Sequence, residues 1–313
     1  MLYLGLKEKR KKYGVDKVAD IPLFCKSYHQ DVLRVKRMVD SIEACNTDNL
    51  PVYISVPNDD RRLFLNYVGS GRCEWLSDED IVAANPVLSW SKLQEIDPGK
   101  TQQIVKSEFW RLHQCDAYLC LDSDSVFIRK FKTADFLAAD GIPYTTMHQS
   151  KELLQQAINM GRPKVVENFR QGCAHAKSIF NRSGPDYDFG PTPVIWSSKV
   201  WQDLATHYLE PRGMSFMDAI NQHPSEIRWY GEALLAYKSI TLHPIEPIFR
   251  VYHTDWQYFA QRKMGETLEK LQENYLGVVM QSNWHYEMDF SKSGKSVLSG
   301  VARKIKRQMK RMF

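Results

Sequence analysis

The chain has 313 residues, 43% of them hydrophobic, enough for one large core and too many for a disordered tail. Its formal charge of +5 is an end effect, because residues 292–313 hold eight Lys or Arg and no acid, leaving 34 basic against 37 acidic residues, or −3, elsewhere. A whole-domain nucleic-acid footprint needs a basic face on the folded body, so that class is set aside.

The six cysteines, at 25, 45, 73, 115, 120 and 173, form no CxxC pair and read as free thiols. The N-terminal apolar run is too short for a signal peptide, and no window approaches a membrane span, which predicts a cytoplasmic protein. Eight Trp, fifteen Tyr and fourteen Phe suit sugar and base faces, although most such rings serve as packing.

In chain order, residues 20–25 read as a buried strand, with Lys26-Ser27-Tyr28-His29 as the loop at its carboxyl end. A helix follows at 31–44, its apolar side carrying Leu33, Val35, Met38, Val39 and Ile42. A strand at 51–56, a helical stretch at 60–68 and a short strand at 72–76 continue the alternation, which predicts an α/β domain with a largely parallel sheet. Residues 101–113 read as a helix, 116–121 as an apolar strand ending in Asp-Ser-Asp, and 126–128 as a further strand. Beyond residue 140 we expect a strand at 142–147, a helix at 150–160, a polar connection at 161–190 and a strand at 193–196. Helices at 199–208 and 225–237 and a late strand at 248–252, ending at His253, complete the body.

The segment Leu119-Cys120-Leu121-Asp122-Ser123-Asp124-Ser125-Val126 carries the most chemistry. Two carboxylates at a strand mouth can meet one hard cation, Mg²⁺ or Mn²⁺, and such an ion offsets the charge that develops on a diphosphate leaving group. An Asp-rich turn is the plain structural alternative. The same segment, preceded by Gly99-Lys100-Thr101-Gln102-Gln103-Ile104-Val105-Lys106 on a helix, resembles the nucleotide-binding half of GT-A glycosyltransferases, specifically poorly characterised bacterial and viral ones. The likeness covers roughly residues 18–260 and rests on short motifs.

That resemblance implies a GT-A-like, Rossmann-like mixed sheet flanked by helices, with a nucleotide half at about 18–130 and an acceptor half at about 140–290 within one domain, 1–290. Lys26 and Ser27 would then lie near the nucleoside, Gln103 and Lys106 near the ribose or diphosphate, and Asp122 and Ser123 against the nucleotide sugar. Asp122 and Asp124 would hold the metal, with His253 at a late strand end as the third ligand. Glu226, in the first turn of the 225–237 helix, is the first choice for the base of an inverting transfer, Glu232 the second and Asp188 a fallback. The helix dipole alone also favours an acid at position 226.

At 291–313, Val297, Val301, Ile305, Met309 and Phe313 recur every four residues among basic neighbours. This predicts a basic amphipathic helix able to lie on an anionic membrane surface, making the protein peripheral. The implied function is metal-dependent transfer of a sugar from a nucleoside-diphosphate carrier to a glycan or lipid-linked acceptor, in surface polysaccharide synthesis. Two rival readings stand beside it: a haloacid-dehalogenase-like phosphatase, which shares the DxD pattern, and a non-catalytic sugar-binding relative.

Overall fold

The computed structural model describes residues 21–113 and 115–279, so the tail helix expected at 291–313 lies outside the described residues. The first half runs β1 (Leu23–Lys26), α1 (Val32–Cys45), β2 (Val52–Val56), α2 (Arg61–Tyr67), β3 (Glu74–Ser77), α3 (Asp78–Ala83), α4 (Trp90–Gln94), α5 (Pro98–Leu112), β4 (Ala117–Leu121) and β5 (Ser125–Phe127). The second half continues with β6 (Thr145–Thr146), α6 (Lys151–Asn159), α7 (Pro163–Ile179), β7 (Val194–Ser197), α8 (Ser198–Leu204), α9 (Phe216–Gln222) and α10 (Glu226–Tyr237). It closes with β8 (Pro244–Ile245), β9 (Phe249–Arg250), α11 (Asp255–Lys263), α12 (Leu268–Asn274) and β10 (Gly277–Val279).

The central sheet has the order β3-β2-β1-β4-β7; the first four strands are parallel and β7 is antiparallel to β4. The expected mixed, largely parallel sheet flanked by helices is therefore present. Its strands are apolar throughout because both faces are covered, and the two-residue side-chain period splits them between two cores. Leu23, Cys25, Leu119 and Leu121 enter one core with α1, whereas Phe24, Tyr118 and Cys120 enter the other with α5. Phe24 stacks on Phe109 at 3.9 Å, and the Tyr118 hydroxyl donates to the Lys106 carbonyl at 3.1 Å. Both contacts fix α5 against the sheet. All six cysteines are free, as the sequence predicts.

Two smaller sheets, β5-β10-β9 and β6-β8, stand apart from the central one. The connection expected at 161–190 is instead largely α7, a helix that opens with Pro163 at its start and buries only Phe169, Cys173 and Ala176. That stripe is too narrow to announce itself among so many polar neighbours. The strand expected at 142–147 shrinks to Thr145–Thr146.

Helix α10 is locked to the segment before β7. Gly231 packs so closely on the Phe189 ring that an added Cβ would overlap it. Gly231→Ala is accordingly expected to destabilise the fold by about 1–3 kcal/mol through overpacking, despite alanine's better helix propensity. A denaturant melt no lower than wild type would show that this contact can relax.

Candidate active site

Strand order reverses between β1 and β4, and in open α/β sheets the crevice outside the carboxyl ends at such a switch point is where ligands bind. Cys25 pairs with Leu121, so the chain leaves the sheet side by side as Lys26-Ser27 and as Asp122-Ser123-Asp124. The two exits are tied together, because the Ser123 hydroxyl donates to Asp31 Oδ2 at 2.8 Å from the far side of the crevice. Asp31 is in turn ion-paired to Arg34.

Helix α5 delivers a buried cation to this crevice. Lys106 is only 3% exposed, and its ammonium donates to Asp122 Oδ1, which also accepts from Gln102 Nε2 at 3.3 Å. Burial opposes the Lys106 charge, but Asp122, with a further contribution from Glu226, holds its pKa above the usual lysine range. Both contacts to Asp122 use Oδ1, which leaves Oδ2 unengaged among the described residues on a side chain that is 29% exposed.

Glu226 opens α10 beneath a Ser225 N-cap, whose hydroxyl accepts from the Arg228 amide at 3.4 Å. Its backbone N–H donates to Gln103 Oε1 at 3.2 Å, which anchors the α10 start to α5. The carboxyl is 7% exposed; burial pushes its pKa up, Lys106 partly offsets this, and Asp122 adds to it. Asp122, Lys106 and Glu226 thus share one electrostatic neighbourhood at the switch point.

Lys26 and Ser27 are where the sequence placed them, at the β1 exit, and both are buried. Lys26 Nζ lies 3.3 Å from Asp78, whose carboxyl also accepts from the Ser55 hydroxyl and is pushed up to about 6 by burial. Among the described residues the Ser27 hydroxyl is buried with no hydrogen-bond partner, a donor that a ligand in the crevice could satisfy.

Three expected residues do different work. Glu232 is 1% exposed and accepts from Arg182 Nη2 at 2.8 Å and from its Nε, so it anchors the α7–β7 connection. Asp188 spends both oxygens on a rigid turn, accepting from Ser150 Oγ at 2.7 Å and from the Gly190 amide at 3.2 Å. His253 does not join Asp122 and Asp124: its charged neighbours are Asp188, His148, Arg250 and Glu152. Among the described residues, no group of three or more His, Cys, Asp or Glu is arranged to hold a metal ion. Asp122 and Asp124 nevertheless suit a hard divalent ion as a pair, because Mg²⁺ is commonly held by one or two carboxylates together with substrate phosphates.

Sequence reasoning passed over Asp31, Gln102 and Asp78. Asp31 had a signal, an acid just after the first strand's loop; Asp78 had none, because its partner Lys26 lies far away in the chain.

The fold and its site define a mixed α/β protein with an acidic, lysine-braced crevice at the switch point of a largely parallel sheet. The chain belongs to DUF6492, a family of unknown function, whose family model matches residues 14–275. No curated protein matches it. Among solved structures it is similar to the apo form of WbbM, a bifunctional glycosyltransferase, at 11% identity and a TM-score of 0.45, over 85% of this chain and 46% of WbbM. It is also similar to the galactosyltransferase LgtC, solved in complex with donor and acceptor sugar analogs, at 12% identity and a TM-score of 0.46, over 83% of this chain and 86% of LgtC. The chain thus spans about half of the first and most of the second. Among the described residues, no helix is long and apolar enough to cross a membrane.

Proposed function

We propose that the chain is a nucleotide-sugar-dependent glycosyltransferase of the GT-A type, with the donor in the β1–β4 crevice. The observation that carries this reading is the buried Lys106 ammonium set against Asp122 at the switch point, with Glu226 in its field. A buried cation beside a partly exposed carboxylate suits a diphosphate, whose charge grows as the anomeric bond breaks, and preorganised charge at that position is the largest usual source of catalysis. Ser27 and Lys26 border the nucleoside side of the crevice, and Asp122 and Asp124 are the residues that would hold Mn²⁺ or Mg²⁺. When bound, that ion supplies additional positive charge to the diphosphate.

Glu226 takes the proton of the acceptor hydroxyl, as an inverting transfer requires, and its raised pKa makes it a stronger base than an ordinary glutamate. The acceptor is a glycan or a lipid-linked sugar, and the setting is surface polysaccharide assembly, with the basic 291–313 segment holding the enzyme to an anionic membrane. Incubation with UDP-, GDP-, dTDP- and CMP-sugars tests the reading, since glycosyltransferases slowly hydrolyse their own donor when no acceptor is present. Release of one nucleotide is the expected result. Cleavage of simple phosphomonoesters with no nucleotide released from any donor would instead favour the phosphatase reading.

A further inference from the structure

A second cavity, of about 360 Å³, lies between the N-terminal end of α6, the α11–α12 turn and the start of β10, away from Asp122. Its volume falls at the lower end of the range for small-molecule sites, about 300–1,000 Å³. At its base is Arg250, 6% exposed, with a guanidinium Nη2 3.2 Å from Glu152 and 3.0 Å from Glu266. The Tyr252 and Tyr275 rings lie 4.9 and 5.9 Å from that guanidinium. Gln261 Nε2 donates to Glu152 at 3.1 Å, and Asn274 lies exposed at the rim.

The charge balance of this cavity limits what it can hold. Arg250 and Lys270 are matched by Glu152 and Glu266, so the lining carries no net charge. An anion is recognised by an open guanidinium fork, and Arg250 has already given its fork to two carboxylates. A neutral polyol has no such conflict. Its hydroxyls both donate and accept, so they can donate to the half-exposed Glu152 carboxylate and pair with the Asn274 amide. Its apolar C–H face can rest on Tyr275, Met264 and Leu271, which complete the lining.

We propose that this cavity binds a neutral saccharide, at a site apart from the β1–β4 crevice. Saccharide binding there does not depend on the transferase reading above. The test is saturation-transfer NMR on the full chain with methyl α-D-glucopyranoside, galactopyranoside and mannopyranoside, alongside phosphorus NMR of inorganic phosphate. At least one glycoside is expected to show transfer, with phosphate measured as the wild-type baseline. Asn274→Ala should weaken that glycoside about tenfold by removing a hydrogen-bonding partner. Glu152→Ala should abolish it and raise phosphate binding above the wild-type level, because it leaves Arg250 and Lys270 opposed only by Glu266. No glycoside signal in the wild type, or glycoside binding unchanged in both variants, overturns the proposal. UDP and GDP titrations of the same samples separate the two readings: lost nucleotide binding speaks against the transferase, and lost glycoside binding with nucleotide binding intact speaks only against the cavity.

Discussion

Glu226→Gln is expected to lower sugar transfer by about 10²–10⁴-fold, the usual worth of a positioned general base, while nucleotide binding persists. The substitution keeps the shape and the α10 N-terminus but removes the proton acceptor. Burial raises the Glu226 pKa, so the active carboxylate accumulates at a higher pH than for an ordinary glutamate. The wild-type rate should therefore rise with pH through that raised value, and this rising limb should vanish in the variant. Linkage carries a second sign, because a folded state that holds its proton more tightly than the unfolded chain is stabilised below the ordinary glutamate range. That stability is lost as pH rises through the raised value. The Gln variant should consequently melt no lower than wild type at neutral pH. A pH–rate profile that keeps its rising limb in Glu226→Gln would place the base elsewhere.

Lys106→Met should be costly in a different way. It strips the partner from Asp122 and leaves Glu226 and Asp122 facing the crevice without the buried cation, an arrangement expected to cost about 3–5 kcal/mol. Nucleotide binding should be lost as well. Adding Asp122→Asn to Lys106→Met should recover much of the stability by removing the unpaired charge, but none of the nucleotide affinity, so the pair separates fold from function. Denaturant melts and nucleotide titrations on the three variants provide the check. A Lys106→Met protein as stable as wild type would mean that the ammonium does not hold Asp122.

The first half of the chain was legible because its signals are local. The runs read at 20–25 and 116–121 hold the strands Leu23–Lys26 and Ala117–Leu121, buried on both faces, and polar residues follow each abruptly, so strand and exit loop could be read together. What joins those exits was not legible, since Ser123 meets Asp31 and Lys26 meets Asp78 only once the parallel register is set. His253 misled for a related reason. It does follow a strand, but β9 pairs with β10 in a separate three-stranded sheet, so its end is not part of the central sheet's carboxyl edge. The partner of Glu232 was not legible either: six residues beyond Glu226 is about 240° of rotation, which turns it from the Glu226 side of the helix toward Arg182. The helices at α11 and α12 escaped notice because they bury few residues and their faces are mostly polar.

Calorimetric titration of UDP and GDP, with and without Mn²⁺, on the wild type and on Asp124→Ala decides whether the β1–β4 crevice takes a nucleotide with a divalent ion. One nucleotide should bind the wild type in a metal-dependent manner and bind Asp124→Ala far more weakly. Absence of binding by either nucleotide in the presence of Mn²⁺, once CMP and dTDP have been tried as well, would contradict a nucleotide-sugar donor site at the β1–β4 crevice.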